Sequence, residues 1–169
     1  MTGEPLEEAI VWQCGRASGI AQEIAEQGHA EEIREATGLQ LSAYFPAAKM
    51  AWLLRNGGEE RQKRAADGKL CLGTIDSWLG YKLTGDHAFK TDFSNASRTQ
   101  LFNLKTLAWD EKIGEMFGIP VCALARVCDS DAVYGTTTME GMFFEPVPIC
   151  GVLGDSHAAL FGQGCLKPG

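Results

Sequence analysis

Stretches in which apolar residues recur every three or four positions alternate along this chain with short, almost wholly apolar runs, and the two patterns predict different elements. Helical composition runs from Arg16 to Gln27 and from Ala30 to Ala36. Gly28 and Gly38 end these segments, because glycine most readily takes the left-handed conformation of a helix stop. Pro46 suits a first helical turn, and Lys49, Met50, Trp52, Leu53 and Leu54 make the amphipathic helix that it opens, closed by Gly57-Gly58. Glu59 to Gly68 is a charged, exposed turn or helix. Thr74 or Asp76 begins a helix that closes at Thr84-Gly85-Asp86, and Leu107 to Phe117 is a further helix stopped by Gly118 and Pro120. Strands are expected at Ala9–Cys14, Leu70–Gly73 and Val147–Gly154. The last run is apolar enough to be covered on both faces, which puts Asp155 at its carboxyl end. Helices outnumber strands, and there is no internal repeat or low-complexity linker.

Composition narrows the class. The 169 residues suit one ordinary domain. With 15 Lys and Arg scattered among 22 Asp and Glu, a net charge of -7, the chain has no basic stripe for a phosphate backbone, so nucleic acid is not an expected partner. The Glu-rich section from Glu23 to Glu35 reads as a solvated helix face. No apolar run approaches the ~20 residues of a membrane span, so no membrane partner is expected. The opening Met1-Thr-Gly-Glu-Pro5 lacks the parts of a signal peptide, so a cytoplasmic location is expected. Six cysteines without a CxxC pair are expected to be reduced core residues. His29, His87 and His157 form no HxxxH or HExxH pattern, so no metal ligands are expected, and no GxxxxGK[ST] loop is present.

The chemistry concentrates in Gly154-Asp155-Ser156-His157-Ala-Ala-Leu-Phe-Gly-Gln-Gly164, where an apolar run meets an aspartate and then a small-residue helix. Open α/β sheets bind ligands at the carboxyl ends of their strands. An aspartate placed there can accept the proton of a hydroxyl that attacks a phosphoryl group. The same residue also suits a plain helix N-cap. A third reading makes Ser156 the nucleophile of a GDS-type esterase, which requires a histidine base, and His157 is adjacent in sequence and poorly placed for that task.

Several motifs in order extend beyond this run: Ala9–Cys14 (AIVWQC), Tyr44–Asn56 (YFPAAKMAWLLRN), Gly73–Gly85 (GTIDSWLGYKLTG), Asp92–Leu104 (DFSNASRTQLFNL), Trp109–Lys112 (WDEK) and the GDSHAALFGQ run itself. Together they resemble the FGGY carbohydrate kinases, and within them the glycerol kinase branch. The resemblance implies an α/β fold: a partial ribonuclease-H-like, actin-like ATPase domain lacking its first strands. It implies that residues 1–169 are one partial domain, the substrate side of an amino-terminal domain, without the carboxy-terminal nucleotide-binding domain. The implied activity of the parent protein is phosphoryl transfer from ATP with Mg²⁺ to a small polyol or sugar. Carried over residue by residue, Asp155 is the catalytic base, Trp12 lies against the carbon side of the polyol, Tyr44 bonds a substrate hydroxyl, and Ser156 stands where the branch usually has a substrate-binding glutamine. Asn95, Ser97 and Arg98 mark the branch and are expected to work structurally, with Arg98 tying down a carboxylate such as Asp92. Gly15-Arg16 departs from a double-arginine step. Met139–Pro146, where some relatives carry an arginine-bearing loop for a sugar bisphosphate, has no basic residue, so regulation by fructose bisphosphate is not expected.

Read as a piece, the chain supplies the base but no nucleotide cradle, so by itself it is expected to be inactive. The alternative from another class is a non-catalytic remnant that persists through an interaction. Strands stripped of neighbours expose unpaired backbone groups, and a homodimer through such an edge is the expected partner beyond a small substrate.

Overall fold

The computed structural model describes residues 2–165 and Lys167. They form two compact units, one built from the residues up to Thr74 together with Ser97–Ala125, the other from Ile75–Ala96 and the residues from Arg126 onward.

The first unit is mostly helical. Its helices α1 (Ser18–Glu26), α2 (Ala30–Thr37), α3 (Pro46–Asn56) and α4 (Gly58–Ala66) follow the expected order. In α1, Ile20, Ala21 and Ile24 share a buried face, the spacing of one side of a helix. Gly38 closes α2 in the left-handed region, at φ 72°, and Pro46 occupies the first turn of α3. Ala47, Ala48, Ala51 and Leu54 from α3 pack with Ile24, Ile33, Leu101, Ile113 and Phe117 in one apolar core.

The second unit holds α5 (Ile75–Leu83), β1 (Lys90–Asp92), α6 (Phe93–Ala96), β4 (Arg126–Cys128), β5 (Gly135–Thr137), β6 (Val147–Ile149) and α8 (Asp155–Gly162). The first unit also holds β2 (Phe102–Asn103), β3 (Ala108–Trp109) and α7 (Glu111–Phe117). Pairs β1–β4 are parallel, whereas β2–β3 and β5–β6 are antiparallel. Each described sheet has two strands. Tyr134 is the largest fully buried side chain of the second unit, and its hydroxyl donates to the Asp129 carbonyl at 3.1 Å.

Four expectations need correction. Ala9–Cys14 is not a strand: Cys14 N–H donates to the Val11 carbonyl at 3.1 Å in a turn. An extended segment is stabilised by pairing, and among the described residues none pairs with it. Leu70–Gly73 contributes only a parallel bridge from Leu72 to Leu124. The run Val147–Gly154 is a strand only as far as Ile149 and is not covered on both faces, since Val147 is 44% exposed. Asp155 therefore follows a loop and not a strand end. The helix expected from Leu107 starts at Glu111 because Asp110 caps it, accepting the Ile113 N–H at 3.0 Å, while Trp109 pairs with Phe102 in the β2–β3 hairpin.

The cysteines also depart from expectation. All six are free, as expected, but none is buried: Cys14 and Cys128 are half-buried and the other four are exposed. Short apolar runs around a thiol do not bury it when nothing covers them.

Candidate functional site

In the first unit the turn ahead of α3 carries an aromatic cluster. Pro46 fixes the helix start, so Phe45 just before it is extended and stands outside the helix. Ser42 holds this turn, its hydroxyl accepting the Tyr44 N–H at 3.1 Å and its carbonyl the Phe45 N–H at 3.3 Å. Lys49 reaches back from α3 to close it, donating from Nζ to the carbonyls of Ala43 and Tyr44, the latter at 2.8 Å. Lys49 is 5% exposed, and burial lowers its pKa because the charged form loses hydration. Trp12 lies 5.4 Å from Tyr44 between ring centroids, tilted by 57°, and Tyr44 meets Phe45 edge-on at 5.0 Å. Arg98 does not serve the role expected of it: its guanidinium stands 5.2 Å over the Phe45 ring.

A cavity of about 450 Å³ opens beside this cluster, lined by Trp12, Gln13, Cys14, Gly15, Ser18 and Tyr44 among others. Trp12 and Tyr44 keep 59% and 51% of their surface exposed, although aromatic rings of this size usually bury most of it. Beside them the Arg16 backbone and its Nε, the latter 2.9 Å from Sγ, draw the Cys14 thiol below its usual pKa.

In the second unit Asp92 is fully buried, and neutral donors of the same unit surround it. Its Oδ2 accepts the Ser94 N–H at 3.0 Å, the Ser94 hydroxyl at 2.5 Å and the Ser130 hydroxyl at 2.6 Å. Its Oδ1 accepts the Asn95 N–H at 3.0 Å and Nδ2 at 2.7 Å. Burial by itself would raise this carboxyl, but the bonds from Ser130, Ser94 and Asn95 outweigh it and hold the pKa below the ordinary value. Ser97 is half-buried in the turn after α6.

Asp155 opens α8, with Gly154 and not Asp155 as the N-cap. Its Oδ1 accepts the Ser156 N–H at 2.6 Å and the Ser156 hydroxyl at 3.3 Å. Among the described residues Oδ2 has no hydrogen-bond partner. Ser156 thus faces a carboxylate and not an imidazole, so the esterase reading loses its base. Of the sequence-derived residues, Trp12 and Tyr44 come together in the first unit, Asp155 and Ser156 in the second, and Asn95 joins Asp92. Lys49, Ser94 and Ser130 were not singled out from the sequence; a lysine inside an amphipathic helix and serines in turns carry no distinguishing signal.

The profile of the FGGY family of carbohydrate kinases, N-terminal domain, matches residues 1–162. A glycerol kinase of Symbiobacterium thermophilum is 51% identical over 168 residues, which cover 99% of this chain and 33% of that protein. A glycerol kinase of Geobacter sp. (strain M21) is 49% identical over 168 residues, covering 99% of this chain and 34% of that protein. Among solved structures, Plasmodium falciparum glycerol kinase with ADP has a TM-score of 0.90 at 32% identity, covering 98% of this chain and 33% of that one. The chain spans about a third of the length of the curated relatives it matches.

Proposed function

Because the chain belongs to the FGGY family of carbohydrate kinases, and its fold is part of the ribonuclease-H-like, actin-like domain of sugar kinases, we propose that it is the substrate side of an ATP-dependent kinase acting on a small polyol. Glycerol is the first candidate. The observation that carries this reading is the exposed Trp12–Tyr44 pair on the 450 Å³ cavity. Apolar ring faces there exclude water from a carbon skeleton, while Ser18, Ser42 and the Tyr44 hydroxyl offer the few fixed polar groups that discriminate among hydroxyls.

Asp155 is the general base of this proposal. It accepts the proton that a substrate hydroxyl loses as its oxygen bonds to the γ-phosphorus of ATP and the bond from that phosphorus to ADP breaks. Ser156, beside it, offers a hydroxyl of shorter reach than the glutamine usual in the branch, and that hydroxyl donates to Asp155 at 3.3 Å. Among the described residues, no three His, Cys, Asp or Glu side chains are placed to hold a metal ion. Mg²⁺ is ordinarily held by one or two carboxylates together with substrate phosphates, and MgATP is the phosphoryl donor of this reading.

The test is ADP release by the full-length protein with glycerol and MgATP. General-base catalysis contributes about 10²- to 10⁴-fold, so Asp155→Asn should lower kcat by that order, and Trp12→Ala should raise KM. The 169-residue chain alone should release no ADP. Undiminished turnover in Asp155→Asn would refute the assignment of the base.

A further inference from the structure

The loop from Cys150 to Gly154 leads into Asp155 and belongs to no sheet or helix. Two backbone donors fasten it. Val152 N–H donates to the Ser130 carbonyl at 3.0 Å, and Gly154 N–H donates to the Ser94 hydroxyl at 2.7 Å. The two serines come from different segments, 36 residues apart (130 − 94), yet both hydroxyls donate to the same oxygen, Oδ2 of Asp92. Donating its proton to Asp92 leaves Ser94 Oγ with only lone pairs for the Gly154 N–H, so the carboxylate sets the direction of that bond. Gly154 also fits closely: a Cβ there would lie 3.3 Å from His157 Nδ1, 3.4 Å from Ser94 Oγ and 3.6 Å from Asn95 Oδ1.

We infer that Asp92 is a positioning residue, which through Ser94 and Ser130 fixes the backbone of the 150–154 loop and with it the placement of Asp155. The inference rests on the reading of Asp155 as the base. An amide at position 92 replaces the carboxylate poorly, because in either orientation its NH₂ would face a backbone N–H, that of Ser94 or that of Asn95. Such a buried carboxylate is costly unless donors surround it. Here the donors that surround it are the ones that hold the loop.

The experiment uses Asp92→Asn, Ser94→Ala and the conservative Ser94→Thr. Amide hydrogen exchange is read at Val152 and Gly154 in the chain, with the Tyr134 N–H, bonded to the Ile149 carbonyl at 2.8 Å, as the control in the same unit. Turnover is read in the full-length protein. Losing one hydrogen bond is worth up to about a tenfold change, so Ser94→Ala should speed exchange at Gly154 by roughly that factor while Tyr134 is unmoved. It should lower kcat about tenfold with KM unchanged, and Ser94→Thr should restore both. Asp92→Asn should loosen Val152 and Gly154 together. Unchanged exchange at Gly154 in Ser94→Ala, or faster exchange with kcat intact, overturns the inference. Absence of polyol turnover in the unsubstituted full-length protein defeats instead the reading of Asp155, and the exchange data still decide whether Asp92 and Ser94 hold the loop.

Discussion

Replacing Lys49 by Met tests how the aromatic turn is held. The ammonium satisfies two carbonyls, those of Ala43 and Tyr44, from a side chain that is 5% exposed. Hydrogen bonds to charged groups contribute about 1.5–3 kcal/mol each. Tyr44 is exposed and Ala43 half-buried, so water can reach the freed carbonyls in part, and the loss is nearer one such bond than two. Methionine fills the space of the buried lysine stem and spares a hydrophobic residue the cost of dehydrating an ammonium, so no cavity term is added. The expected destabilisation is about 1.5–3 kcal/mol. For a chain of this length 1 kcal/mol corresponds to ~2–4 °C, so Tm should fall on the order of 5 °C in a circular dichroism melt. The turn should loosen as well, and in the full-length protein KM for the polyol should rise while kcat changes little. An unchanged or higher Tm together with an unchanged KM would refute the account, because it would mean that the burial of Lys49 costs as much as its two bonds return.

Two further outcomes follow from single contacts. Gly114→Ala gains up to about 1 kcal/mol in helix propensity, but the added Cβ would lie 2.7 Å from the Ile119 carbonyl oxygen. That backbone is pinned by Ile119 N–H donating to Gly114 O at 2.8 Å and by Gly118 at φ 68°. Net destabilisation of roughly 1–2 kcal/mol in urea unfolding is expected, and a stabilised variant would contradict it. The lowered pKa of Asp92 means that the unfolded chain binds the proton more tightly, so this group's stabilisation is complete above the ordinary value of 3.8 and is lost as pH falls through the folded-state value. Urea unfolding from pH 6 down to pH 2 should show a steeper acid loss in the unsubstituted chain than in Asp92→Asn. Identical acid limbs would show that Asp92 is not held in its charged form.

Local chemistry was legible in the sequence, and pairing was not. Gly28, Gly38 and Gly118 end helices and Pro46 starts one because each acts through its own backbone dihedrals. Strand expectations at Ala9–Cys14 and Val147–Gly154 failed or shrank because an apolar run says that a segment is fit for burial, not that a neighbour is present to pair with it. At Leu107 the apolar positions suggested a helix, but Asp110 is the better cap and Trp109 is committed to Phe102 and to the Ala125 carbonyl, which its indole N–H reaches at 2.8 Å. The residue types of the site were readable from motifs. The Asp92 cluster was not, since Asp92, Ser94, Ser130 and Gly154 meet only through the folded backbone, and Arg98 found an aromatic face where a carboxylate had been expected.

Helix α8 has no buried residue. A helix of this length gains little from its own hydrogen bonds in water, and among the described residues none buries its apolar side chains Leu160 and Phe161. A ligand that grips Asp155 therefore meets a helix held at its start, where the Gly154 N–H is bonded to Ser94, while the turn beyond rests on its own backbone bonds.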